Sequence, residues 1–128
     1  MLMAILGITA CTQPSRTQGV QLYQDLCVAC HGETGQGDGP LAADLDVPVA
    51  DLTLISARNG GTFPMAEVMS TIDGYSRAQH GNLAMPEFGA FLEDSPTVAF
   101  DSGDGIPTPT PSALVALAEY VESLQRAP

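Results

Sequence analysis

Two thiols and an adjacent imidazole, Cys27-Val28-Ala29-Cys30-His31, carry the densest chemistry in this 128-residue sequence. On one turn of helix the thiols face the same side and can add to the two vinyl groups of a porphyrin. The imidazole then comes up beneath the ring plane to bind iron. The spacing is the C-x-x-C-H signature for attaching a c-type haem covalently. Three other readings compete. A redox dithiol would want a preceding strand and a βαβ context, a zinc site two further Cys or His ligands at suitable spacing, and a disulfide an oxidising compartment. Cys11 and His80 are too far apart in pattern to complete a zinc site convincingly.

The motif needs a helix to carry it. Val20, Tyr23, Leu26, Cys27 and Cys30 fall on a broad helical stripe that runs into the motif, and Gly32, Gly35, Gly37 and Gly39 end it soon afterwards. Gly35-Gln36-Gly37-Asp38-Gly39 has no preceding strand, which argues against a nucleotide-binding loop. Leu41 to Leu45 can form one or two helical turns after Pro40. Pro64 to Asp73 predicts a helix with Pro at its start and Gly74 just past its end. Leu114, Leu117, Ala118, Val121 and Leu124 predict an amphipathic helix opened by Pro111 and Ser112. No alternating strand pattern of useful length and no internal repeat is visible, so the expected architecture is all-α with long loops. Phe100 to Pro111 reads as a Pro-rich surface excursion. Within it, Asp101-Ser102-Gly103-Asp104-Gly105 lacks the spaced carboxylates and terminal Glu of a calcium loop.

A chain of this length fits one compact domain. Aromatic residues make up only 5% and there is no Trp, so a buried cofactor could supply bulk that the side chains do not. Thirteen Gly and ten Pro stay below the roughly 25–30% combined share that suggests low-complexity disorder, which favours long ordered loops. All four basic residues are Arg, and 15 acidic residues bring the net charge to −11. Nucleic acid and anionic membrane surfaces are thereby poor partners, and a protein with a basic face is a better one. Solubility alone would also account for the acidity. Residues 1–10 are uncharged and largely apolar, as in a secretory signal, and no apolar run reaches the ~20 residues needed to span a bilayer. Ile8-Thr9-Ala10-Cys11 resembles the lipobox of bacterial lipoproteins, which implies lipidation at Cys11. Residues 11–18 then read as a tether and 19–128 as the folded domain.

From the haem motif outward, roughly Gly19 to Leu124, the sequence resembles the class I c-type cytochromes, which carry one haem. Gly19 and Tyr23 lie eight and four residues before Cys27, matching the family's Gly and aromatic at the crossing of its first and last helices. Leu117 and Tyr120 are suitable partners on the last helix. The resemblance implies a cytochrome c fold of three to five short helices with long loops around one haem, the N- and C-terminal helices crossing. It also implies that the carbonyl of Pro40, after Gly37-Asp38-Gly39, accepts a hydrogen bond from the non-ligating nitrogen of His31. Met85, in Met85-Pro86-Glu87-Phe88-Gly89, looks like the family's axial Met loop and is the expected sixth ligand. Met65 and Met69 fall on the middle helix as core residues, and His80 is the weaker alternative ligand. Arg58 or Arg77 could pair with a haem propionate, and Tyr75 could donate to one.

These expectations describe an electron carrier rather than an enzyme. Its cofactor is one covalent haem c with iron held by His31 and Met85, in a periplasmic or otherwise extracytoplasmic place, touching a membrane only through Cys11. Its partners would be redox proteins with a basic docking face. Two other readings stand beside it: a haem subunit dedicated to one larger oxidoreductase, and a ligand-binding or sensing haem protein with an open sixth position.

Overall fold

The computed structural model describes residues 16–76 and 85–127. Six α-helices are formed among them: α1 (Arg16–Leu26), α2 (Val28–His31), α3 (Ile55–Arg58), α4 (Met65–Asp73), α5 (Gly89–Leu92) and α6 (Ser112–Ser123). Short 3-10 turns cover Ala42–Asp44 and Leu52–Leu54. Helix α1 begins at Arg16, so its first turn takes in the last residues assigned above to the tether. None of the described helices is long and apolar enough to cross a membrane.

The crossing of α1 and α6 organises the fold. Gly19, Tyr23 and Cys27 are buried at successive steps of four along one face of the α1 direction. A Cβ on Gly19 would lie 3.0 Å from the carbonyl carbon of Ala116 and from Tyr120 Cβ, and closer still to the Ala116 oxygen. Only a residue without a side chain lets the two backbones approach so nearly. One turn on, the rings of Tyr23 and Tyr120 meet at 5.1 Å and 60°, within the tilted arrangement aromatic pairs favour. Ala116 thus faces Gly19, while Leu117 is fully buried in the core beside it.

Helix α6 is more deeply placed than its amphipathic pattern suggests. Every residue from Ser112 to Ala118 is buried, and only its last turns alternate with solvent. The cover comes from α1, α4, α5 and a two-stranded sheet that the sequence did not announce. Strands β1 (Thr97–Phe100) and β2 (Thr108–Pro111) pair antiparallel, Thr97 opposite Pro111 and Phe100 opposite Thr108. The all-α expectation is therefore corrected to a mostly helical domain with one small hairpin. At four residues a strand is too short for alternation to stand out, and two prolines mask it further. Val98 and Phe100 pack against the core from β1. In the connection, Asp101 Oδ1 accepts from the amides of Gly103 at 2.8 Å and Gly105 at 3.0 Å, so that carboxylate is occupied in closing the turn.

Candidate functional site

The thiol-imidazole motif sits where α1 hands over to α2. Cys27 leaves regular helical geometry, yet its amide still bonds to Tyr23 O at 2.9 Å and its carbonyl receives His31 N at 2.8 Å. Cys27 and Cys30 therefore bracket a single turn, as the spacing requires. The turn ends in Gly32, Gly35 and Gly37, all with φ near +79°, a conformation that side chains oppose. Gly37 N donates to His31 O at 2.8 Å, Gly39 N to Cys30 O at 3.0 Å and Leu41 N to Ala29 O at 2.9 Å. The glycine loop thus satisfies carbonyls that a helix end would otherwise leave orphaned. A Cβ on Gly39 would come within 2.5 Å of the Val28 and Ala29 oxygens, so the loop can lie flat against the motif only with glycine there. From α1, Tyr23 OH donates to Gly32 O at 2.8 Å and ties the same loop to the helix crossing.

Cys27, Cys30, His31 and Met85 line one cavity of about 550 Å³. That size lies within the roughly 300–1,000 Å³ of cofactor-sized sites. Its walls are mainly apolar, with Leu26, Leu52, Ile55, Val68, Ile72 and Phe88 among them. Arg58, Asn59, Glu67 and Thr71 supply polar groups. Met85 enters from the segment leading to α5, which is held against α4 by Phe88 N donating to Ile72 O at 3.0 Å. Met69 is buried in the core and Met65 packs against it; neither lines the cavity.

His31 Nδ1 lies 3.1 Å from the carbonyl oxygen of Ala50. A carbonyl can only accept, so Nδ1 carries the proton and Nε2 keeps its lone pair for a metal. Burial holds the imidazole below its ordinary pKa, against the opposing effect of the Ala50 bond, and this favours the neutral ligand form. The acceptor is a correction: it is Ala50 and not Pro40. Pro40 follows Gly39 in the strip bonded to Ala29 and Cys30, and its own side is exposed. Ala50 could not be found from residue types, because the interacting atom belongs to the backbone nineteen positions from His31.

Burial, reinforced by neighbouring Cys30, pushes the Cys27 thiol up to about 12. A dithiol redox centre wants a preceding strand and an accessible, acidified thiol, whereas this motif follows α1 and Cys27 is buried, which speaks against that alternative. Among the described residues no group of three or more His, Cys, Asp or Glu is placed to hold a metal ion. The donor set instead fits a haem: two adjacent thiols, a neutral imidazole fixed through its other nitrogen, a thioether, and an apolar chamber. Arg58 lines this chamber and also donates to Asp51 O at 2.8 Å. Tyr75 is 86% exposed and is not part of the lining, so it is not placed to meet a propionate there. Cys11, Arg77 and His80 lie outside the described residues.

These features define a c-type cytochrome domain. Residues 14–96 match the family described as cytochrome c oxidase, cbb3-type, subunit III, and the chain belongs to that family. Membership implies covalently bound haem c with iron. No curated protein matches the chain.

Proposed function

We propose that this protein is a one-electron carrier with a single haem c, joined through Cys27 and Cys30 and ligated by His31 and Met85. One observation supports this above the others: the two thiols and imidazole of one motif line the same apolar cavity as a thioether brought from a distant part of the chain. When bound, the haem supplies a one-electron iron couple. The chain's residues exclude water, orient the proximal imidazole through Ala50, and offer a soft neutral sulfur that favours ferrous iron. Nothing in this role needs a substrate site, so we assign the protein no reaction of its own.

The matched family is described as an oxidase subunit. This favours a haem subunit serving one larger oxidase over a freely diffusing carrier. We further propose an extracytoplasmic, periplasmic setting, with Cys11 lipidated after cleavage behind Ala10, and a redox partner that presents a basic face to the net charge of −11.

The test is an absorption spectrum of the reduced protein with and without carbon monoxide, after acid-acetone extraction has shown whether haem stays on the chain. Retained haem and a low-spin spectrum unmoved by the gas are expected. Complete extraction would overturn covalent attachment, and ready carbon monoxide binding would overturn the closed sixth position in favour of a sensing or catalytic haem.

A further inference from the structure

The carbonyl that orients His31 belongs to a short segment held from several sides. Leu52 N donates to Gly35 O at 2.7 Å, and Arg58 Nη2 to Asp51 O at 2.8 Å. The remaining ties come from two residues just beyond α6. Gln125 Nε2 donates to Leu52 O at 2.8 Å, while Gln125 Oε1 accepts from Ser56 N at 2.9 Å. Arg126 N donates to Thr53 O at 2.9 Å, its Nε to Thr53 Oγ1 at 2.7 Å, and its Nη2 to Asp51 Oδ2 at 3.0 Å. Thr53 in turn donates its amide and its hydroxyl to Asp51 Oδ1. The carbonyls of Ala50, Asp51, Leu52 and Thr53 are thus all engaged, two of them by the C-terminal pair.

We infer that Gln125 and Arg126 are positioning residues for the haem ligand. By clamping 51–53 they hold the Ala50 carbonyl on His31 Nδ1, so the segment just past α6 sets the electronic character of the proximal imidazole. Neither residue lines the cavity, and they act only through the segment. An isolated surface ion pair would do little, since Arg126 and Asp51 are partly in water and exposed pairs are weak. The clamp differs because four bonds from two consecutive residues converge on 51–53 and a fifth reaches Ser56 at the start of α3. The two residues just past α6 are tied in this way to the residues next to the acceptor. The inference rests on the haem reading above.

The full haem-loaded chain, reduced and labelled with nitrogen-15, provides the readout: solvent exchange of the His31 Nδ1 proton, with the reduction potential measured alongside. Gln125→Ala/Arg126→Ala should speed that exchange about fivefold, the effect of losing one hydrogen bond between neutral groups, and should shift the potential. Val115→Ala, a core change in α6 away from both clamp and cavity, should lower the melting temperature while leaving the exchange within about twofold. Arg126→Lys keeps the charge but not the fork, and should fall between wild type and the double variant. Exchange that simply follows melting temperature across the set would overturn the inference, as would unchanged exchange in the double variant or, were that variant unfolded, in Arg126→Lys. Haem lost to acid-acetone from the wild-type protein would instead remove the functional reading and this inference with it.

Discussion

Replacing Gly19 by Ala sets two effects of known sign against each other. Gly19 is an interior residue of α1 with an ordinary helical backbone, so propensity alone makes Ala better by about 1 kcal/mol. The added Cβ, however, meets the Ala116 carbonyl and Tyr120 Cβ at or below 3.0 Å. The obstacle is backbone rather than the end of a mobile side chain, and α6 is buried along the contacting stretch. Relief requires the helices to part, placing the cost near the upper end of the roughly 1–3 kcal/mol of overpacking. The net loss is then about 1–2 kcal/mol. With an unfolding entropy of about 2.1 cal/mol/K per residue, each kcal/mol lowers the midpoint of a domain this size by roughly 4 °C, which predicts a fall of roughly 4–8 °C. Thermal unfolding of the haem-loaded protein followed by circular dichroism reads it directly. Gly19→Val should fall further. A Gly19→Ala protein as stable as wild type would show that the crossing has slack and that propensity decides, refuting the packing argument.

Other outcomes follow from single contacts. Tyr23→Phe removes the hydroxyl bonded to buried Gly32 O and should cost about 1–2 kcal/mol in denaturant unfolding; no loss would mean the glycine loop holds without it. Met85→Ala should lower the reduction potential and let exogenous ligands reach the iron, with covalent attachment intact; if Met65→Ala did this and Met85→Ala did not, the ligand assignment would move. The Thr53 hydroxyl, with further help from Arg126, holds the Asp51 carboxyl below its ordinary value, so its charge stabilises the fold above pH 3.8 and that contribution disappears as pH falls through the lower folded value. Asp51→Asn should therefore be less stable than wild type at neutral pH, with the gap closing in acid, and a gap independent of pH would refute the assignment. Electron transfer from a soluble form beginning after Cys11 to a basic partner should slow as salt is raised, because the Debye length is already about 10 Å at 0.1 M; a rate flat in salt would leave the acidity to solubility alone.

The parts of the site that were legible from sequence are those written in local spacing. Cys27, Cys30 and His31 share one turn, and Gly74 ends α4 with a left-handed φ of 101° where the glycine stands. Gly19 and Tyr23 were readable through the resemblance to the class I family, whose Gly and aromatic stand eight and four residues before the first Cys of the motif. What escaped was written in backbone atoms or in short strands. Ala50 contributes a carbonyl, for which no residue type is a signal, whereas the family resemblance points to the carbonyl of Pro40. The role of Gln125 and Arg126 depends on contacts 69 to 75 positions away in sequence. The hairpin was hidden in four-residue strands, and the deep burial of Ser112 to Ala118 depends on it in part, beside α1, α4 and α5.

The hairpin also bears on how such a chain can lengthen. It leaves the body after Pro96 and returns at Ser112, and those two residues are joined by a hydrogen bond from Ser112 N to Pro96 O of 2.8 Å. Ser95 Oγ, which accepts from Ala113 N at 3.1 Å, closes the same gate. Exit and entry are therefore one bond apart, and the matched family region itself stops at residue 96. Closing a loop of twice the length costs only about 0.6 kcal/mol more. The junction is a socket: excursions of other lengths can be accommodated there while α6 keeps its place across α1, provided they supply apolar cover where Val98 and Phe100 now lie.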